Sequence, residues 1–104
     1  MVARVTLAEI DSVRTSVDTA VRLFEESVVP ELREQDGYEG CYVLTTPAGK
    51  AVVLTFWRDE HAAYESVLSG SYGAQVDKFV TFIKSAPERD TYDVALGDSP
   101  VAAG

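Results

Sequence analysis

Two stretches in the middle of the chain set its pattern. Residues 40–45 (Gly-Cys-Tyr-Val-Leu-Thr) and 51–57 (Ala-Val-Val-Leu-Thr-Phe-Trp) are rich in β-branched and aromatic side chains, and Thr46-Pro47-Ala48-Gly49-Lys50 between them carries turn punctuation. The combination predicts a β-hairpin. Pairing about that turn sets Cys41, Val43, Thr45, Val53, Thr55 and Trp57 on one face and Tyr42, Leu44, Val52, Leu54, Phe56 and Arg58 on the other. Both faces are largely apolar, whereas a sheet with one wet face alternates apolar and polar residues. The hairpin is therefore expected to be covered on both sides.

The flanking segments supply one cover. Residues 2–10 alternate Ala3, Val5 and Leu7 against Arg4, Thr6 and Ala8, a strand with polar insertions at Arg4 and Thr6. Ser16 is placed to cap a helix whose apolar stripe runs Val17, Ala20, Val21, Phe24, Val28 and Leu32. Pro30 falls inside that stripe and predicts a kink, and Asp36-Gly37 ends the helix. After the hairpin, Asp59 caps a short helix to about Leu68, and the Ser/Gly-rich run 69–73 breaks it. Val76, Phe79, Val80 and Ile83 resume helical spacing up to Pro87, and Tyr92, Val94 and Leu96 alternate in a last strand over 91–96.

The order strand, helix, strand, strand, helix, strand is the split βαβ arrangement: an α+β, ferredoxin-like fold with a four-stranded antiparallel sheet and the helices on one face. The other sheet face keeps Tyr42, Leu44, Val52, Leu54 and Phe56 with nothing in the chain to cover them. An apolar patch of that size predicts a homodimer with two sheets packed face to face.

Composition narrows the partners. At 104 residues the chain suits one domain, 1–97, followed by a small-residue tail, 98–104, expected to be disordered. The net charge of −8 repels phosphate backbones and anionic bilayers, so neither nucleic acid nor membrane is an expected partner. A single cysteine, Cys41, excludes an internal disulfide. With no basic-then-apolar leader at the N-terminus, this points to a cytoplasmic location. One His and one Cys do not make a metal-ligand set, and neither a phosphate-cradling glycine loop nor a dinucleotide fingerprint is present, so no metal and no cofactor is expected.

The junction Pro30-Glu31-Leu32-Arg33-Glu34-Gln35-Asp36-Gly37-Tyr38-Glu39-Gly40 and the run Val53-Leu54-Thr55-Phe56-Trp57-Arg58-Asp59-Glu60 resemble the antibiotic-biosynthesis-monooxygenase-like family. The resemblance extends over most of the chain, from Ala3 to Leu96, and implies the dimeric α+β barrel. The family it points to holds cofactor-independent oxygenases of aromatic polyketides or quinols, haem-degrading enzymes, and many members of unknown role. The haem-degrading members carry Asn, Trp and His where this chain has Thr6, Ser66 and Gln75, and His61 comes too early to substitute. The quinone-forming members carry a Trp at the strand end, matched by Trp57, and a Tyr soon after it, matched by Tyr64 one residue late. Four residues before the Trp they carry an Asn, where this chain has Val53.

The candidate site follows from the resemblance and the pattern together. Trp57, facing the helices, is either core or the wall of a pocket whose lining includes Thr6, Val53, Thr55 and Phe24, with Tyr72, beside two glycines, either a lid or a plain loop tyrosine. Tyr64 is a candidate hydrogen-bond donor to substrate. His61, the one group that titrates near neutrality, is a candidate base or a solvated histidine. Arg4 either holds a substrate anion or pairs with an acid such as Asp93. The expected function is a cofactor-independent monooxygenase acting on a small aromatic, quinol-like molecule. The alternative is a non-catalytic ligand-binding or stress-responsive dimeric barrel.

Overall fold

The computed structural model describes residues 1–98, so the tail expected over 98–104 lies outside the described residues but for its first position. The elements are β1 (Val2–Glu9), α1 (Val17–Ser27), α2 (Val29–Arg33), β2 (Tyr38–Thr45), β3 (Lys50–Trp57), α3 (Glu60–Leu68), α4 (Ser71–Asp77) and β4 (Glu88–Asp93). The strands form one sheet in the order β2-β3-β1-β4, and every neighbouring pair is antiparallel. This is the ferredoxin-like α+β architecture that the element order predicts. No helix among the described residues is long and apolar enough to cross a membrane.

The hairpin closes as its turn residues require. Gly49 donates to the Thr46 carbonyl at 3.0 Å, and the Thr46 hydroxyl accepts from Lys50 N at 3.1 Å. Gly49 has φ of 98°, and a Cβ there would meet the Ile10 carbonyl at 2.8 Å, so both the turn and the approach of β1 demand glycine. At the other end of the hairpin a bulge lies between Tyr38 and Gly40. It brings Tyr38 opposite Trp57, their rings meeting edge to face at 5.6 Å.

Three boundaries differ from the sequence pattern, each for a local reason. The helix expected to kink at Pro30 is two helices: α1 ends at Ser27, and α2 starts at Val29 with Pro30 in its first turn. Pro30 has no N–H to continue the ladder, while Val28 and Leu32 stay buried and keep the stripe. The Ser/Gly run breaks the chain only at Ser69-Gly70, where Gly70 takes φ of 86°, and α4 already begins at Ser71. That helix then stops at Asp77, and Phe79 to Ile83 pass through turns, with Phe82 N bonded to Phe79 O at 2.8 Å. Finally, β4 spans Glu88–Asp93 rather than 91–96. Asp93 already faces Val2 at the start of β1, so Leu96 runs past the end of its partner and is 87% exposed.

The helix cap read from the sequence is present: Ser16 Oγ accepts from Thr19 N at 3.1 Å. Ser16→Ala should lower stability by about 1 kcal/mol, seen as a lower urea midpoint with unchanged slope.

The helix-facing side of the sheet holds two separate cores. One joins Val2, Val28, Leu32, Trp57, Ala62 and Ala63; the other joins Ile10, Ala20 and Ala51. Along β1 the first core takes Val2 and the second takes the adjoining Ile10. The positions between them on that face, Arg4, Thr6 and Ala8, belong to neither. The opposite face is uncovered within the chain: Leu7, Tyr42, Leu44 and Tyr92 are exposed, and Val5, Val52, Leu54 and Phe56 are half-buried.

Candidate functional site

The gap between the two cores is a cavity of about 110 Å³, open on one side. The sheet floors it with Arg4, Thr6, Ala8, Val43, Val53 and Thr55; α1 adds Val21 and Phe24, and α4 and its following turns add Tyr72, Gln75, Val76 and Phe79. Lys78 ties the helical roof together. Its Nζ donates to the Ser27 carbonyl at 2.8 Å and pairs with Glu31 at 2.7 Å, joining the end of α4 to α1 and α2.

Arg4 is the chemical centre of this space. It is 2% exposed, yet no carboxylate pairs with it among the described residues. Its Nη1 donates to Ser66 Oγ at 2.6 Å and to the Ala63 carbonyl at 3.3 Å. A guanidinium carries five N–H donors, and Nε and Nη2 donate to no protein oxygen among the described residues. The cation lies 5.0 Å from the Trp57 ring centroid and 4.7 Å from that of Tyr72. Burial pulls the Arg4 pKa from the ordinary arginine range down to about 10; the Tyr72 side chain works against this shift, and neighbouring Arg89 adds to it. Arg4 thus stays charged at neutral pH, in an apolar space and without a counter-ion. The expected partner Asp93 stands opposite Val2, two positions along β1, and forms no ion pair with Arg4, so that expectation is corrected.

Gln75 is the second polar group of the cavity. It is buried, and its Nε2 has no hydrogen-bond partner among the described residues. An unsatisfied buried amide costs about 1–3 kcal/mol, which a ligand oxygen can recover. Tyr72, one helical turn earlier, has its ring between the guanidiniums of Arg4 and Arg89, each 4.7 Å from the centroid, and its hydroxyl 3.5 Å from Thr6 Oγ1.

The structure therefore gathers Arg4, Thr6, Phe24, Val53, Thr55 and Tyr72 round one space. It does not bring Trp57, His61 or Tyr64 into it. Trp57 is fully buried in the first core beneath Arg4, and its Nε1 donates to Thr55 Oγ1 at 3.0 Å, the partner a buried indole needs. His61 and Tyr64 lie on the outer side of α3, in a second open pocket of about 500 Å³ with Arg89 and Thr91; Tyr64 is 59% exposed, and His61 reaches Glu65 at 4.0 Å. The helix that Asp59 caps turns that side outward. Gln75 is the residue the pattern missed as a donor, although Tyr72, Gln75, Val76 and Phe79 step by three and four along one helical stripe.

With this geometry in hand, comparison with known proteins is informative for the fold. No family model matches the sequence, and no relative is found among curated proteins. Solved structures do match. A candidate antibiotic biosynthesis monooxygenase from Nitrosomonas europaea superposes with a TM-score of 0.72 at 10% identity, covering 92% of this chain and 100% of that one. The chain has the antibiotic biosynthesis monooxygenase fold. SnoaB, a cofactor-independent oxygenase from Streptomyces nogalater, matches with a TM-score of 0.73 at 10% identity over 92% of this chain and 94% of that one. The heme-degrader MhuD from Mycobacterium tuberculosis, solved with two hemes in its active site, matches with a TM-score of 0.73 at 13% identity over 95% and 100%.

The cavity does not fit haem. Its lining holds no His, Cys or Met, and its one side chain able to serve as an axial ligand, Tyr72, is engaged by Thr6 and two guanidiniums. Thr6 and Gln75 line the cavity, and Ser66 accepts a hydrogen bond from Arg4. No cluster of three or more His, Cys, Asp or Glu side chains suited to a metal occurs among the described residues.

Proposed function

We propose that the protein is a small cofactor-independent monooxygenase whose cavity takes a flat aromatic, quinol-like molecule. The observation that carries this reading is Arg4: a buried cation without a carboxylate, facing an apolar space. Such a group stabilises an oxyanion where water is absent and its field is strongest. An electron-rich aromatic oxyanion reacts with dioxygen at ring carbon. The resulting hydroperoxide loses water and leaves a carbonyl, so one oxygen atom enters the product and the other leaves as water. The chain's share is to exclude bulk water with Val21, Phe24, Val53, Val76 and Phe79, to orient the ring beside Tyr72, and to hold the negative oxygen at Arg4.

A second reading, binding without turnover, is favoured by one observation: no Asp, Glu or His lines the cavity to act as base. Oxygen-electrode assays with small hydroquinones separate the two. Uptake by the native protein that disappears in Arg4→Met supports the oxygenase. Saturable binding with no uptake supports the binding module, and uptake unchanged in Arg4→Met removes Arg4 from the chemistry.

The uncovered sheet face belongs to the same proposal. Tyr42 and Phe56 already pack edge to face at 6.0 Å, and covering them with a second copy would stabilise by about 1.5–3 kcal/mol for each large side chain buried. Sedimentation equilibrium should give twice 11.3 kDa for the native chain and the single mass for Leu54→Glu.

A further inference from the structure

We propose that the ligand of the cavity is a single aromatic ring that arrives already ionised, with its negative oxygen held jointly by Arg4 and the free amide nitrogen of Gln75. This deepens the proposed function and rests on it.

Three observations converge on the ligand's chemistry. The first is charge. Arg4 lies within the cavity wall without a counter-ion, its Nε and Nη2 donors unused by protein oxygens among the described residues. Its Nη1 is held at Ser66 and Ala63 and its plane is flanked by the Trp57 and Tyr72 rings, so the guanidinium is fixed before a ligand binds. A fixed, desolvated cation selects an anion over its neutral isostere, because the neutral form leaves the charge unpaired.

The second is the missing base. The lining contains Arg4, Thr6, Thr45, Thr55, Tyr72 and Gln75 as its polar side chains, and none of these takes a proton from a neutral phenol at neutral pH. A ligand that is to sit there as an oxyanion must lose its proton in water first. That points to rings that ionise in water before they bind: hydroquinones made acidic by a neighbouring carbonyl and still electron-rich enough to react with dioxygen, with benzoates as unreactive anions of the same size. Gln75 lines the same cavity from α4, and its Nε2 is buried and unpartnered, so a turn of the side chain brings a neutral donor to an anion's second lone pair.

The third is size. About 110 Å³ is the scale of a one-ring cavity, since a void of about 150 Å³ accommodates benzene. It is well below the roughly 300–1,000 Å³ of sites for larger molecules. One ring fills it, and a polycyclic acid does not.

The test uses 4-nitrophenol, whose ionised form is coloured, added to the full-length protein at a pH just below its own pKa. The expected result is a deepened phenolate band, because the anion binds at least tenfold more tightly than the phenol. Benzoate should displace it, while benzamide and 9-anthroate should not. Arg4→Met should abolish the band change, and Gln75→Leu should weaken binding severalfold with unchanged circular dichroism. Benzamide competing as well as benzoate overturns the selection for an anion but leaves an aromatic pocket in place. Displacement by 9-anthroate overturns the one-ring limit. An unchanged affinity in Gln75→Leu removes the second donor. If no aromatic compound of any charge binds, this inference and the proposed function fall together.

Discussion

Trp57→Ala should lower stability by about 3–5 kcal/mol, enough to leave a chain of this size largely unfolded in mild urea. Trp57 is one of three fully buried large side chains, and it touches both halves of the fold: Tyr38 of β2 edge-on, and Val28, Leu32, Ala62 and Ala63 of the helical layer. Its removal opens a void that rigid neighbours on the sheet cannot refill. Urea unfolding followed by circular dichroism measures the loss. Trp57→Phe separates volume from hydrogen bonding. It keeps most of the packing but releases Thr55 Oγ1, so a loss of only about 1–2 kcal/mol is expected. If Trp57→Ala melted like the native protein, the first core would not be what holds α3 to the sheet.

Arg4→Met should do the opposite: raise stability while removing ligand binding. The drop of the Arg4 pKa from the ordinary arginine range to about 10 corresponds to about 3 kcal/mol of unfavourable burial, an upper bound on what the substitution can recover. A flexible apolar side chain of similar length fits the same slot. Ser66 loses its cation but still donates to the Ala63 carbonyl at 2.8 Å, so no buried hydroxyl is stranded. We expect a net gain of about 1–3 kcal/mol.

The pH dependence has a definite sign. The folded chain holds the Arg4 proton less tightly than the unfolded chain, so the destabilisation is fully present below about 10 and is relieved as pH rises towards the ordinary arginine range. Binding of an anion needs the charged form. Affinity for benzoate should therefore be flat from neutrality to pH 9 and fall through about pH 10, well below the range of a free arginine. Calorimetric titration across that range checks it, and a fall centred near pH 7 would mean that another group governs binding.

The hairpin, the alternation in β1 and the long helical stripe were legible in the sequence because each is a local pattern repeated several times. The assignment of Arg4 and Thr6 to the helix-facing side followed from the same alternation. The register of β4 was not legible. Tyr92, Val94 and Leu96 alternate as a strand should, but the ladder ends where β1 ends, and that is a fact about another part of the chain. The site was half legible for a similar reason. Spacing after Trp57 drew attention to His61 and Tyr64, yet the rotation of α3 that follows from burying Ala62, Ala63 and Ser66 turns both outward. Gln75 was hidden because a lone amide in an apolar stripe reads as a surface residue until the roof of the cavity is seen.

The two rims of the sheet bear on how copies of the chain can meet. One rim, β4, is short and carries Glu88, Arg89, Asp90 and Asp93 beside Thr91 and Tyr92, a poor template for strand addition. The other rim, β2, carries a bulge at its start, between Tyr38 and Gly40. Edge-to-edge growth into ribbons is thus discouraged at β4, and in the proposed dimer it is the broad face that recruits the second molecule. A contact made through that face alone is used up once it is made, so assembly stops at a finite size instead of running on into fibres.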